Sequence, residues 1–296
     1  MRVHSLSPAA RGAHRPLTPI HDDRPGCFVA GTGPPVILLH SSLGSKAQWT
    51  ALAERLATRF QVLALDLCGY GDNTMPTAAG AFSLDDETRL VASHVGQLVD
   101  PHVRVHLIGH SYGGLVALRL AQSWGARVAS LSLYEPVAFR LLDDNDEALA
   151  DIRGLADLVT RLVGAGHRHE AARVFVDFWS GEGSYTSLPL PAQVSIMHRV
   201  AKVPLDFRAA WSWPLHPSDC GSIVAPTLSL AGTRSPGVAQ RIVTSLNRVL
   251  PDHRVRWFDA GHMAPITDAQ KVNHWIETFI DSCALAPSIA LSGSPA

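Results

Sequence analysis

The stretch Gly109-His110-Ser111-Tyr112-Gly113-Gly114 closes an apolar run at 103–109 and opens a segment at 113–124 whose apolar residues recur every three or four positions. A serine between a strand and a helix occupies a sharp, strained turn. Residues two positions before and after it must be small for strand and helix to approach, and Gly109 and Gly113 meet that condition. The turn presents the Ser111 hydroxyl and sets the Tyr112 N–H and the helix N-terminus beside any carbonyl under attack, where they favour developing negative charge. A five-residue match is weak alone, and its place between a buried run and an amphipathic helix gives it meaning.

Outward from this turn, short apolar runs at 36–40, 62–66, 129–135, 227–231 and 254–259 alternate with longer amphipathic segments, among them 238–250 and 269–282. The alternation predicts an α/β fold with a mostly parallel, doubly wound sheet, its strands covered on both faces. Between 137 and 224 the alternation stops and helix-period segments such as 152–163 and 171–179 succeed one another, which predicts a helical cap inserted after the strand that follows the turn. Its aromatics Phe139, Phe175, Phe178, Trp179, Trp211 and Trp213 either line an apolar pocket over the strand ends or glue the cap to the core. The expected organisation is a loose N-terminal arm over 1–25, a core over 26–136 and 225–283, the cap over 137–224 and a Ser/Ala/Pro-rich tail over 284–296.

With 46% hydrophobic and 17% charged residues among 296 and a formal charge of -1, the chain reads as globular, without the field that draws nucleic acid or an anionic membrane. No apolar run approaches the roughly 20 residues of a membrane span. The four cysteines, Cys27, Cys68, Cys220 and Cys283, show neither metal-ligand spacing nor a disulfide framework, which suits a reducing cytoplasm. A small-molecule partner is expected, with no cofactor and no metal, and the oligomeric state is left open.

Two further motifs carry a family resemblance. His40-Ser41-Ser42-Leu43-Gly44 stands at the end of the first strong strand, and Asp66-Leu67-Cys68-Gly69-Tyr70-Gly71 follows the next. With the serine turn, they resemble the α/β-hydrolase superfamily, whose members commonly carry His-Gly-X at the first position and Asp-X-X-Gly-X-Gly at the second in cofactor-free enzymes. The resemblance runs from about residue 26 to 279, interrupted by the cap. It implies that the Ser42 N–H joins the Tyr112 N–H in an oxyanion hole, although Ser41 departs from the usual glycine. Asp66 and its glycines read as turn chemistry rather than catalysis.

A serine nucleophile requires a base. Of the 15 histidines, His262 follows the last predicted strand within Asp259-Ala260-Gly261-His262-Met263, and this placement resembles the family's base loop. His102, His106 and His110 form no metal set and read as surface or strand-end residues. The acid is the departure: where the family usually has an aspartate after the strand at 227–231, this chain has Gly232-Thr233-Arg234-Ser235-Pro236. A serine cannot balance an imidazolium, and losing the carboxylate costs such an enzyme about 10⁴ in turnover. Glu135, in Leu133-Tyr134-Glu135-Pro136, ends the strand from which haloalkane dehalogenases, for one, take their acid, and it is the expected partner of His262. Asp259, or no carboxylate at all, is the competing assignment.

With Ser111 as nucleophile, the expected activity is acyl transfer to water on an ester, thioester, lactone or related bond of a small, largely apolar substrate. Carbon–carbon bond hydrolases and perhydrolases use the same constellation. Haloalkane dehalogenases and epoxide hydrolases use an attacking aspartate, which the turn lacks. A ligand-binding protein that kept the pocket and lost turnover is the alternative of another class.

Overall fold

The computed structural model describes residues 25–76 and 81–284. The N-terminal arm and the C-terminal tail expected from the sequence lie outside the described residues, except for Pro25 and Ala284 at their borders.

In chain order the elements are β1 (Cys27–Ala30), β2 (Pro35–Leu39), α1 (Thr50–Leu56), β3 (Gln61–Leu65), α2 (Leu84–Leu98), β4 (Val105–His110), α3 (Tyr112–Trp124) and β5 (Val128–Tyr134). Then come α4 (Glu147–Gly164), α5 (Arg168–Ser180), α6 (Leu190–Arg199), α7 (Val203–Ser212), β6 (Thr227–Gly232), α8 (Gly237–Val249), β7 (His253–Phe258), α9 (Ala264–Thr267) and α10 (Ala269–Ala284). The strands form one seven-stranded sheet in the order β1-β3-β2-β4-β5-β6-β7. Every pairing is parallel except β1 with β3, which runs antiparallel with Cys27 opposite Leu65.

The central runs are continuously apolar because each strand is buried on both faces, and the period of two sorts their side chains. Ile37, Leu39, Leu63, Leu65, Leu107 and Leu131 face one core with Val91, Val116 and Ile242 from α2, α3 and α8. Val36, Leu38, Val62, Ile108 and Leu228 face the other, with Leu52 and Leu56 from α1 and Ile276 and Ile280 from α10. Two strands depart from the sequence expectation. β1 has four residues and no crossover helix, so no alternation announced it. β7 is an edge strand and half-exposed rather than covered on both faces; its Arg254 and Arg256 extend over the Phe279 and Trp275 rings of α10.

Helices α4 to α7 form the insertion between β5 and β6. Leu149, Ile152, Leu155, Ala156 and Val159 make one buried stripe on α4, which packs against α5 and α7. Among the described residues no helix is long and apolar enough to cross a membrane.

Candidate active site

Ser111 caps α3 with φ 55° and ψ -116°, a conformation a non-glycine residue adopts only when its surroundings impose it. The imposition is visible around it. A Cβ on Gly109 would lie 2.4 Å from the Gly113 carbonyl oxygen, and one on Gly113 would lie 2.3 Å from the His40 carbonyl oxygen. Strand β4, helix α3 and the end of β2 therefore meet at backbone contact. The Ser111 N–H donates to the Tyr134 carbonyl at 2.9 Å, tying the turn to β5.

The residues expected to act together lie together. Ser111 Oγ is 3.0 Å from His262 Nε2, and His262 Nδ1 is 2.7 Å from Glu135 Oε2, with all three side chains buried. Glu135 is held on its other oxygen, Oε1, by the Gly232 N–H at 2.7 Å, and its backbone has φ 42°. Two partners on one carboxylate fix its plane, and Nδ1–H is the tautomer that this geometry demands. The loop bearing His262 is pinned twice: Tyr134 Oη donates to the Gly261 carbonyl at 2.7 Å, and His110 Nε2–H donates to the His262 carbonyl at 2.9 Å. Asp259, the competing acid, is 83% exposed and pairs with Arg234 at 2.8 Å. Ser235, at the position the family usually gives to aspartate, is buried with no partner for its hydroxyl.

Ser111, Ser42 and Tyr112 open onto a small cleft that is partly open to solvent. Three of the six cap-region aromatics singled out in the sequence, Phe139, Phe175 and Trp179, line it. Of the others, Trp211 packs on Phe139 and Phe178 on Trp179, while Trp213 lies beneath Arg119 of α3. Trp179 has a role the sequence did not announce. Its ring stacks on the His262 imidazole at 4.2 Å, a contact between residues far apart in the chain and invisible to any local pattern.

The other strand-end residues are structural. His40 accepts from the Leu67 N–H at Nε2 and donates from Nδ1 to the Ser41 carbonyl, and burial lowers its pKa to about 4. Asp66 accepts from the backbone N–H groups of Lys46 and Asp72 and pairs with the Lys46 ammonium. Of the residues read as surface or strand-end, His110 does end β4 and His106 lies within it; both are buried, and burial lowers both pKa values, that of His106 to about 4. These three histidines are therefore neutral when folded and protonate more readily when unfolded. The unfolded chain binds more protons between about pH 4 and the ordinary histidine range near 6.5, so stability rises with pH across that window and is lost as pH falls through it. Denaturant unfolding measured from pH 7.5 to 4.5 should show this slope; a flat profile would mean the histidines are not held neutral.

A second buried polar cluster adjoins the cavity, and the sequence reading passed over it. Asp206 on α7 lines the cavity and accepts from Ser42 Oγ at 2.6 Å and Tyr70 Oη at 2.5 Å on one oxygen, and from Lys202 Nζ at 2.5 Å on the other. Lys202 is fully buried, 3.6 Å from Glu87 and above the rings of Phe82, Tyr70 and Tyr112. Burial opposes its charge, but Asp206 and Glu87 outweigh that and hold its pKa above the usual value. Burial pushes Glu87 up to about 7. The one available signal was two charges at four-residue spacing inside the apolar run Val200 to Phe207.

A mostly parallel sheet with a strained serine turn, a buried histidine after the last strand and a helical insertion defines the class: an α/β fold with its polar site at the strand ends. Residues 34–269 match the model of the alpha/beta hydrolase fold family, and the chain belongs to that family. It is 32% identical over 126 residues to a fluoroacetate dehalogenase of a Burkholderia species, a match covering 42% of this chain and 41% of that protein. The chain thus spans well under half of that relative's length. Among solved structures it resembles MenH from S. aureus, with TM-score 0.70, 18% identity, and coverage of 87% of this chain and 98% of that one. A hydrolase from Pseudomonas aeruginosa PA01 superposes with TM-score 0.70 at 20% identity, covering 86% and 93% of the two chains. At these identities the likeness to the two solved structures is one of fold.

Proposed function

We propose that the chain is a serine hydrolase that cleaves an ester, thioester, lactone or related acyl bond of a small, largely apolar substrate through an acyl-enzyme. The observation that carries this reading is the unbroken hydrogen-bonded line from Ser111 through His262 to Glu135. His262 Nε2 takes the hydroxyl proton as Ser111 attacks the carbonyl, Glu135 stabilises the imidazolium, and the proton passes to the leaving group as the acyl-enzyme forms. Water, deprotonated by the same imidazole, then releases the acid. The backbone N–H groups of Ser42 and Tyr112 receive the oxyanion, aided by the N-terminus of α3. Trp179 covers one face of His262, holding the ring in place and excluding water from that face.

The dehalogenase name among the relatives does not transfer. A serine attacking saturated carbon would leave an ether, which has no carbonyl for water to attack, whereas an acyl-serine ester hydrolyses readily. The test is a fluorophosphonate probe followed by peptide mass mapping. One adduct on Ser111 is expected, with the label abolished by prior heat denaturation. A folded chain that stays unlabelled at millimolar probe would favour a ligand-binding role over turnover.

A further inference from the structure

Asp206 is the one carboxylate among the cavity-lining residues, in a wall that is otherwise mostly aliphatic and aromatic. Its surroundings are built rather than accidental. Taking Lys202, Asp206 and Glu87 out of water is expensive, and apolar residues of similar volume would pack α7 against α2 and α3 at least as stably. What apolar residues cannot supply is a fixed hydrogen-bond acceptor at the pocket wall. Asp206 Oδ2 already takes two donors, from Ser42 and Tyr70, while Oδ1 takes one, from Lys202. A carboxylate offers about four lone-pair sites, so Oδ1 retains one.

The ion pair with Lys202 indicates which donor fits. Asp206 is already neutralised at 2.5 Å, so a second cation would gain little and would lie near the first. A neutral O–H gains a charge-assisted hydrogen bond without adding charge to the pocket. The place of Asp206 indicates where on the substrate that group belongs. It bonds Ser42, whose N–H the serine-hydrolase reading puts in the oxyanion hole, whereas Trp179 stacks on His262, the group that would protonate the leaving group, so on that reading Asp206 lies on the acyl side. We infer that the cavity takes the acyl half of a hydroxyacyl substrate, with an apolar body against Phe139 and Phe175 and a hydroxyl, two or three carbons from the carbonyl, donating to Asp206. This rests on the serine-hydrolase reading and adds the substrate class to it.

The test compares the p-nitrophenyl esters of butyrate, 3-hydroxybutyrate and 3-aminobutyrate on the full chain. The hydroxyacyl ester should exceed the butyrate ester in kcat/KM by about tenfold or more, and Asp206→Asn, which keeps the side-chain shape, should bring the ratio close to one. A wild-type ratio near one overturns the inference, as does a large ratio that Asp206→Asn leaves intact. A preference for the ammonium ester overturns the choice of a neutral donor. The wild-type ratio decides even if the variant does not fold. Binding of methyl 3-hydroxybutyrate against methyl butyrate to Ser111→Ala, followed by ligand-observed NMR, separates this inference from the reading beneath it. Equal binding there sinks the inference alone, whereas a preference kept without wild-type turnover or phosphonate labelling sinks only the hydrolase reading.

Discussion

Ser111→Ala is expected to fold like the parent chain and to turn over acyl substrates at least about 10⁴-fold more slowly. The hydroxyl makes one hydrogen bond, to His262 Nε2, so its loss costs about 1 kcal/mol or less of stability. The strained backbone at φ 55° is no harder for alanine than for serine. Packing at the turn depends on Gly109 and Gly113, which the variant leaves in place. The loss therefore falls on the covalent step alone. Steady-state turnover within tenfold of the parent, in a preparation with a matched melting curve, would end the acyl-enzyme reading.

Glu135→Gln should cost about 10² to 10⁴ in kcat, and the structure says why so small a change reaches so far. The Gly232 N–H donates to Oε1 at 2.7 Å, and a backbone donor cannot become an acceptor. The substituted glutamine must therefore keep its carbonyl oxygen there, which turns its NH₂ toward His262 Nδ1. That nitrogen then has to accept, so the ring proton moves to Nε2, facing the Ser111 hydroxyl that needs an acceptor. The amide thus removes the balancing charge and imposes the wrong tautomer together. Asp259→Asn, altering an exposed carboxylate paired with Arg234, is expected to stay within about twofold of the parent. If instead Asp259→Asn were crippled and Glu135→Gln active, the acid would belong to the loop.

The fold was legible where local patterns suffice. β2 to β6 are buried on both faces and announce themselves as apolar runs, and the serine turn is punctuated by glycines that backbone contact requires. β1 was not legible, because four residues paired antiparallel to a later strand carry no periodic signal, and β7 misled because an edge strand keeps a solvent-facing row of arginines. At the site, Ser111 and Glu135 could be named because each directly follows a strand and His262 because it sits in the loop after the last one, and strand ends of a parallel sheet converge. Trp179 could be named as a candidate pocket aromatic but not as the partner of His262, and Asp206 could not be named at all. They reach the site from inserted helices whose docking depends on packing between distant segments, and the one hint, Lys202 and Asp206 four residues apart in an apolar run, does not say what the pair faces.

Placing the carboxylate on β5 has a consequence for how the chain tolerates change. Ser111 and Glu135 ride on one continuous β4-α3-β5 unit, and β6 contributes only main-chain groups to Glu135, the Gly232 N–H to its carboxylate and the Leu230 carbonyl to its own N–H. Residue 232 itself is fixed, since a Cβ there would lie 2.2 Å from the Ala260 carbonyl oxygen. The turn that follows, 233–236, is thereby released from the electrostatics of the reaction. Its backbone still braces the loop before His262, with the Thr233 N–H donating to the Phe258 carbonyl and the Arg234 N–H to the Ala260 carbonyl, so substitutions of the exposed Thr233 and Arg234 side chains are expected to be tolerated where insertions are not.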